Sequence, residues 1–300
     1  MKRVLVGYGI DVDVAATWLN TGDGSAVNPT DISRGVYGAV VGIGRLLKLL
    51  DKYGIKATWF VPGHTIESFR EHLRPILDGG HEFGLHGYTH ERTADMSEQQ
   101  QRDILKKSIE VMTKFTGKKP KGWTGPSWST SRRTPHLLEE YGVEYDHSFM
   151  HHDCQMYYLP YQDFDYVETD LTKPASYWMK PLGPTKESSL VVVPANWHVD
   201  DSPPLNFKPK QLTTHGFVSP HVVESLWMEQ FDYFYREYDT FVFPISIHPQ
   251  ISGKPQNVLM HERIIEYINE HEGVEWMTME EMVAEFKSGR MAGVDVCHPS

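Results

Sequence analysis

Cysteine is scarce in this sequence. Its 300 residues include only Cys154 and Cys297, and no Cys-x-x-Cys pair occurs. A disulfide scaffold needs more cysteines at closer spacing, so the pattern is typical of a protein whose thiols stay free.

Long apolar runs are also missing. No segment approaches the roughly 18 apolar residues of a membrane span. The apolar run at residues 4–6 is too short for a cleavable signal peptide. We therefore expect a cytoplasmic protein without a membrane partner, and export without a cleavable signal is the alternative.

An excess of basic residues is absent. The 29 Lys and Arg residues face 40 Asp and Glu residues, which gives a formal net charge of -11. Nucleic acids require a basic surface, so no nucleic-acid partner is expected. The 40% of hydrophobic residues is enough for one large domain with a continuous core.

Two common hydrolase motifs do not occur. There is no Gly-x-Ser-x-Gly turn, which argues against a serine hydrolase. The His-Glu-x-x-His pattern is absent too, because His261-Glu262 and His271-Glu272 lack the second histidine.

Strand-like and helical segments alternate along the chain. Helical periodicity predicts helices at residues 41–53, 97–115, 221–238, 258–271 and 278–287. Alternation of this kind favours a single-domain distorted parallel (β/α) barrel of seven or eight strands over residues 1–300. We expect an irregular excursion over the barrel mouth at about residues 150–187. Short apolar runs predict the strands at residues 3–9, 56–61, 82–85, 122–124, 144–145, 190–194, 241–247 and 274–277.

Two histidines four residues apart, His86 and His90, follow the third predicted strand. Two imidazoles at this spacing can converge on one face of a helical turn and bind one cation. In a chain with 16 histidines such a pair also occurs by chance, as surface or core residues. Asp11 and Asp13 follow the first predicted strand, and the carboxyl ends of barrel strands meet at one rim. One of the two carboxylates would be a third metal ligand, and the other would be free to act as a base. This combination predicts metal-assisted hydrolysis.

Three further polar segments fall on the same predicted rim. They follow the fourth, sixth and seventh predicted strands, at residues 124–128, 196–198 and 248–249. Five polar clusters at one end of a barrel indicate an active site at that end.

The motifs resemble those of the polysaccharide deacetylases, carbohydrate esterase family four, with their nodulation-type deacetylase domain. The likeness covers about residues 1–290 and rests on residues 10–13, 57–63, 80–90 and 145–148. Residues 31–35, 194–197 and 217–220 are similar to a branch with peptidoglycan deacetylases, fungal chitin-oligomer deacetylases and cyclic imide hydrolases.

The resemblance implies a role for each matching residue. Asp13, His86 and His90 would bind one divalent cation, most simply zinc, with cobalt or nickel as alternatives. Asp11 would be the general base and His248 the acid that protonates the leaving amine. The resemblance also places the backbone N–H of Ser127 at the oxyanion position. Trp128, Trp197 and Tyr88 are candidates for stacking on sugar rings, and the alternative is that they belong to the core, as most tryptophans in a chain with 8 do.

Two positions depart from the family pattern. Thr124 stands where the family has an arginine that contacts the base, and we expect Arg34 to replace it. The acid histidine of the family has an acidic partner, for which Asp200 or Asp201 is the candidate.

The function we predict is a metal-dependent amide hydrolase that removes N-acetyl groups from chitin oligomers or peptidoglycan, with a glycan as substrate and a homo-oligomeric state. The first alternative is a ring-opening hydrolase of cyclic imides or ureides. A catalytically silent glycan-binding barrel is the second.

Overall fold

One nine-stranded sheet forms the centre of the fold. A computed structural model describes residues 2–20, 26–161, 166–208 and 216–297. The inner strands are almost fully buried, as expected of strands covered on both faces. The strands are β1 (Arg3–Asp11), β2 (Thr58–Val61), β3 (Glu82–Leu85), β4 (Gly122–Trp123), β5 (Tyr145–Asp146), β6 (Tyr157–Tyr161), β7 (Lys186–Val192), β8 (Thr240–Ile247) and β9 (Val274–Trp276).

The sheet has the order β6-β7-β5-β4-β3-β2-β1-β8, and β9 pairs with β1. All these pairings are parallel except that of β6 with β7. Segments after β5 and β7 also contact β8, through the bonds from Val242 N to Cys154 O (2.9 Å) and from Asp201 N to Ser246 O (3.2 Å). The sheet therefore curls on itself, and the predicted distorted parallel barrel is confirmed with all eight predicted strands.

The main departure from the prediction is β6, the one strand of the nine that the sequence did not predict. It lies within residues 150–187, where an irregular excursion was expected, and pairs antiparallel with β7, which begins at Lys186. Tyr157 and Leu159 are fully buried. The strand includes Pro160 and has a register shift beside it. A proline inside an apolar run weakens a strand prediction, and edge strands with bulges are where proline is tolerated.

Helices cover the outside of the sheet. None of the described helices is both long and apolar enough to cross a membrane. The helices are α1 (Ala16–Leu19), α2 (Pro29–Tyr37), α3 (Ile43–Tyr53), α4 (Gly63–Ser68), α5 (Arg70–Asp78), α6 (Glu98–Thr116), α7 (Thr134–Glu140), α8 (Ala175–Trp178), α9 (Ser202–Leu205), α10 (Pro220–Glu237), α11 (Pro249–Ser252), α12 (Pro255–Asn269) and α13 (Met279–Lys287).

The predicted helix at residues 41–53 begins earlier than expected. A π-helical segment, Gly38–Gly42, joins α2 to α3, so the helical path runs from residue 29 to residue 53. A Cβ atom on Gly42 would lie 2.2 Å from the carbonyl oxygen of Pro249. The glycine therefore lets this helix pack directly against the start of α11, the short helix that follows β8.

Candidate metal centre and active site

The end of β1 supplies two carboxylates. Asp11 is the last residue of the strand rather than a residue after it, and Asp13 lies in the following turn. The hydroxyl of Thr65 donates to the backbone oxygen of Asp13 (3.0 Å). Val14 then has φ +50°, which is rare for a β-branched residue. The strained turn directs the chain away from the sheet directly after the two acids.

The two histidines lie in a turn after β3, and the predicted helical turn is wrong. Gly87 and His90 both have positive φ, +68° and +61°, so residues 86–90 cannot form a helix. The turn is held by Glu91, whose carboxylate accepts the backbone N–H groups of Tyr88 (2.9 Å) and Thr89 (2.7 Å). The convergence of the imidazoles therefore comes from this turn and not from helical periodicity.

Asp13, His86 and His90 converge on one point. Asp13 Oδ1 lies 3.3 Å from His86 Nε2 and 3.7 Å from His90 Nε2. Nδ1 of His86 donates to the carbonyl oxygen of Thr124 (2.8 Å), which leaves the lone pair of Nε2 free. Among the described buried atoms, Asp13 Oδ1 and His86 Nε2 have no hydrogen-bond partner. Two neutral imidazole nitrogens and a carboxylate oxygen fit a divalent metal ion with mixed nitrogen and oxygen ligands.

The electrostatics of this cluster favour a positive charge. Burial alone would raise the pKa of Asp13, but His90 and His86 outweigh it and lower that pKa. Burial lowers the pKa of His90 to about 4, so this imidazole is neutral at pH 7. For His86, burial lowers the pKa, and the charges of Asp11 and Asp13 outweigh it and raise the pKa. An ionised carboxylate and a neutral imidazole are the forms that bind metal.

Asp11 and His248 lie beside the three converging residues. Asp11 Oδ2 is 3.6 Å from His86 Nε2 and 3.9 Å from His248 Nε2. Burial raises the pKa of Asp11 above its ordinary value. A carboxylate with a raised pKa accepts a proton more readily near neutral pH, as a general base must.

A chain of buried hydrogen bonds extends behind His248. Asp201 accepts from Nδ1 of His248 (2.7 Å) and from the Ser252 hydroxyl (2.6 Å). Because that hydroxyl donates to Asp201, it accepts from His261 Nε2 (2.8 Å), whose Nδ1 then accepts from Tyr8 (3.3 Å). Burial alone would lower the pKa of His248, but Asp201 outweighs it and raises that pKa well above the ordinary value. The raised pKa favours the protonated imidazole, which is the form that a general acid needs.

A pocket of about 520 Å³ opens above these residues. Ser127 and Trp128 have positive φ, so the 3₁₀ turn after β4 is strained in the way common at functional sites. Trp197 packs edge-on against Trp128, with ring centroids 4.4 Å apart, and is 44% exposed. The pocket is lined by Asp11, Asp13, Thr17, Trp18, His90, Ser127, Trp128, Trp197, Asp200, Ser202, Asn206, Lys208, His248 and Gln250.

Known proteins match this sequence and this fold. The family model for polysaccharide deacetylases matches residues 38–145. A peptidoglycan deacetylase of Helicobacter pylori is 48% identical over 95% of this chain and 97% of its own. The chain belongs to the polysaccharide deacetylase family. A peptidoglycan deacetylase-like protein of Gibberella zeae is 38% identical over 95% of this chain and 87% of its own.

Solved structures agree with this membership. A Mycobacterium smegmatis structure assigned to the polysaccharide deacetylases superposes with a TM-score of 0.82 at 27% identity, over 100% of this chain and 95% of its own. An allantoinase structure superposes with a TM-score of 0.76 at 21% identity, over 96% and 91% of the two chains. The likeness to the allantoinase shows the fold alone.

Two residues expected in the site of this deacetylase lie elsewhere. The Tyr88 hydroxyl donates to Glu67 (2.6 Å), and Tyr88 does not line the pocket described above. Arg34 pairs with Asp31 (3.1 Å) and stacks on Trp18 at 4.8 Å; none of its described contacts is to Asp11. The structure thus does not bring either side chain to Asp11: Tyr88 is held by Glu67 on α4, and Arg34 by Asp31 on its own helix.

The acidic neighbours of His248 have different positions. Asp201 makes the hydrogen bonds to His248, whereas Asp200 lines the pocket and accepts the backbone N–H of Ser202 (2.6 Å). Burial raises the pKa of Asp200 to about 8, so this group is mostly a neutral carboxylic acid at pH 7. Of the two candidates for the acidic partner of His248, Asp201 is therefore the one that contacts it.

Several residues of the site were missed from the sequence. Trp18 and Lys208 line the pocket, and Ser252 and His261 belong to the hydrogen-bond chain. Trp18 lies only seven residues after Asp11, the last residue of β1. This short separation in the sequence could have indicated that Trp18 lies near the pocket. No sequence pattern connects Lys208 or His261 with the barrel rim.

Proposed function

We propose that the protein is a metal-dependent hydrolase that removes N-acetyl groups from N-acetylglucosamine units of a glycan and releases acetate. The observation that carries the proposal is a pair of buried atoms, Asp13 Oδ1 and His86 Nε2, which lie 3.3 Å apart and find no hydrogen-bond partner among the described residues. Such atoms cost free energy unless a cation satisfies them. Asp11 and His248 flank them in the positions that proton transfer requires.

Asp13, His86 and His90 would hold the cation. A divalent ion bound there supplies a positive charge that acidifies water and polarises the amide carbonyl. Zinc is the proposed ion, because one carboxylate and two imidazoles suit it, although cobalt and nickel accept the same ligands.

The proton transfers fall to the two flanking residues. Asp11 takes the proton of the attacking water, and the positive charge beside it keeps Asp11 ionised until then. His248 gives a proton from Nε2 to the nitrogen of the leaving amine. Asp201 accepts the Nδ1–H of His248, so the ring stays oriented and stable when charged. The backbone N–H of Ser127, in the strained turn at the pocket, is the proposed donor to the developing oxyanion.

A glycan is favoured over a cyclic imide because of the aromatic wall. Trp18, Trp128 and Trp197 all line the pocket. Sugar rings present C–H faces that pack on indoles, and the partly exposed Trp197 leaves the pocket open on that side. A small imide needs a closed pocket and gains little from such a wall. The allantoinase fold likeness keeps ring opening as the second candidate.

Product analysis separates the two candidates. The purified protein, loaded with zinc, is incubated with chitin oligomers, with peptidoglycan strands and, separately, with succinimide, hydantoin and allantoin. Acetate release with a matching mass loss per sugar supports deacetylation. Ring opening without acetate from any glycan would make the second candidate correct. Glycan binding without any turnover would indicate a catalytically silent barrel.

Location and assembly are further proposals. A cytoplasmic location is supported by Cys154 and Cys297, which are both free. A homo-oligomer is supported by three exposed side chains on α10, Val222, Leu226 and Tyr233, which are 51%, 54% and 52% exposed. Sedimentation velocity of the wild type and of Leu226→Glu tests the assembly, and a monomer in both cases contradicts it.

A further inference from the structure

A second pocket adjoins the proposed active site. It encloses about 660 Å³ between α2, α9 and the start of α12. Three residues, Trp18, Asn206 and Gln250, line both pockets and form the wall between them. The Gln250 side chain also reaches toward Asp13, with Nε2 3.5 Å from Oδ2. A molecule in the first pocket that extends past this wall therefore enters the second.

Basic side chains surround the second pocket. Arg34 and Lys254 line it, and Arg45 contacts the carbonyl oxygen of Gly253 (3.0 Å) next to Lys254. Lys254 Nζ lies 3.4 Å from the centre of the Tyr37 ring. Burial lowers the pKa of Lys254, and the charges of Arg34 and Arg45 lower it further. Three positive charges are thus gathered at one place in a chain whose net charge is -11.

These cations have little acidic compensation. In the described part of the chain, Arg34 is the one of these three cations that forms a salt bridge, with Asp31. Neither Lys254 nor Arg45 has a described carboxylate within 4.0 Å. Gathering like charges costs free energy unless an anion binds between them. The arrangement therefore favours an anionic ligand.

The pocket also offers an unused hydrogen-bond acceptor. Asn257 lines it and is 2% exposed; its Nδ2 donates to the carbonyl oxygen of Ile251 (2.9 Å). The other side-chain atom, Oδ1, has no hydrogen-bond partner among the described residues. A buried acceptor in this state is satisfied by a hydroxyl or amide N–H of a ligand. The ligand would therefore combine an acid with a polar donor.

We propose that the second pocket binds a carboxylate on the sugar next to the reacting N-acetylglucosamine, so that acid-bearing glycans of the peptidoglycan type are preferred to neutral chitin oligomers. This inference rests on the proposed function. The carboxylate would pair with Lys254, and a hydroxyl or amide beside it would donate to Asn257. The guanidinium of Arg34 already donates to Asp31 and to the carbonyl oxygen of Phe207, so Arg34 would add positive charge beside the carboxylate rather than a second direct contact. A neutral oligomer fills the first pocket equally well and makes none of these contacts.

Kinetics on two matched glycans test the inference. Acetate release is measured with chitin oligomers and with strands of equal length in which N-acetylmuramic acid alternates with N-acetylglucosamine. Lys254→Met keeps the aliphatic chain over Tyr37 and removes the charge. We expect its KM for the acid-bearing strand to rise about tenfold with kcat unchanged, which is the worth of one charge-assisted hydrogen bond. Its KM for the chitin oligomer should stay unchanged.

Two matched variants act as controls. Lys254→Arg keeps the charge and should restore most of the affinity for the acid-bearing strand. Lys106→Met removes a charge from the exposed face of α6, away from both pockets, and should change neither KM. Equal KM changes for both glycans in Lys254→Met, or none for either, would overturn the inference while leaving deacetylation intact.

Calorimetric titration separates this inference from the proposed function. Wild-type protein titrated with each glycan gives binding constants that need no turnover. Tighter binding of the acid-bearing strand, weakened in Lys254→Met and by added inorganic phosphate, supports the second pocket even if no acetate is released. Equal affinity for both glycans contradicts it. A third outcome is that both glycans bind with equal affinity while Lys254→Met no longer responds to inorganic phosphate. This result would mean that the pocket binds only free anions, and it would contradict the inference.

Discussion

Asp201 holds His248 at two points. Its Oδ1 accepts the Nδ1–H of the imidazole (2.7 Å), and its Oδ2 accepts the backbone N–H of the same residue (2.9 Å). One carboxylate therefore fixes both the ring and the main chain of His248. Nε2 is left directed at the acidic pair, 3.9 Å from Asp11 and from Asp13.

The support behind Asp201 can be tested through Ser252. Ser252→Ala removes a donor to Asp201 and leaves His261 Nε2 without an acceptor in a buried site. We expect a loss of about 1–3 kcal/mol in the free energy of unfolding, together with a lower kcat. Urea unfolding and acetate release measure the two effects. Ser225→Ala, on the exposed surface of α10, is the matched control and should change neither.

The metal centre is tested by His86→Ala. The substitution removes a proposed ligand that is 0% exposed and whose Nε2 has no hydrogen bond within the described part of the chain. We expect both bound zinc and turnover to be lost, which elemental analysis and acetate release measure. His72→Ala removes an exposed imidazole and should keep both. A His86→Ala protein that is fully active without metal would refute the proposed centre.

Asp11→Asn separates the base from the ligands. The amide keeps the shape of Asp11 but cannot take a proton from water. Zinc should stay bound at full stoichiometry, while kcat falls by about 10²- to 10⁴-fold, the usual worth of a positioned base. If the variant loses its metal instead, Asp11 is a ligand, and the roles of Asp11 and Asp13 must be exchanged.

Protonation of three buried histidines should destabilise the protein as the pH drops below 6.5. Burial lowers the pKa of His81, His147 and His261 to about 4, from an ordinary value of 6.5. At these three positions the unfolded chain therefore binds more protons than the folded one between these values, so their effect on stability is absent above pH 6.5 and grows toward pH 4. The expected loss is about 1–3 kcal/mol per histidine.

His81 isolates one of these contributions. It lies outside the metal site and accepts the backbone N–H of Ala57 at Nδ1 (3.1 Å). His81→Gln keeps an acceptor but cannot be protonated, so urea unfolding at pH 7.0 and pH 4.5 should differ less than in the wild type. His72→Gln, at an exposed position, should leave the pH dependence unchanged. If the free energy of unfolding of His81→Gln differs between pH 7.0 and pH 4.5 as much as that of the wild type, the lowered pKa of His81 is contradicted.

Trp197 tests the aromatic wall. Trp197→Ala should raise the KM for chitin oligomers by about 3- to 10-fold, since an aromatic contact is worth about 0.5–1.5 kcal/mol. Trp197→Phe keeps an aromatic face and should recover most of the affinity. Equal KM values for the wild type and Trp197→Ala would mean that the sugar does not reach this side chain.

The sequence predicted the parts of the fold that depend on local patterns. Apolar runs predicted eight of the nine strands, and helical periodicity predicted the helix at residues 97–115, where Ser97 forms a full capping box at the start of α6. The convergence of Asp13 with His86 followed from strand ends meeting at one rim. These features depend on periodicity and topology, which short stretches of sequence determine.

Features that depend on long-range contacts were not predictable. The position of Lys208 at the pocket and the bond of His261 to Ser252 arise only after the helices pack. The turn at residues 86–90 was predicted as helical because the spacing of its histidines also fits a helix; the positive φ of His90 is invisible in the sequence. Arg34 was expected to contact Asp11, but Asp31 one helical turn away provides a nearer partner.

The pairing of β1 has a consequence for synthesis on the ribosome. Its first half pairs with β9 at residues 274–276, and its other edge pairs along its length with β8. Only Gly9, Ile10 and Asp11 pair with β2, the next strand to emerge. The pairing of β1 therefore stays incomplete until β8 and β9 have been synthesised. We expect the nascent chain to expose this apolar strand until then, and to need a chaperone during that interval.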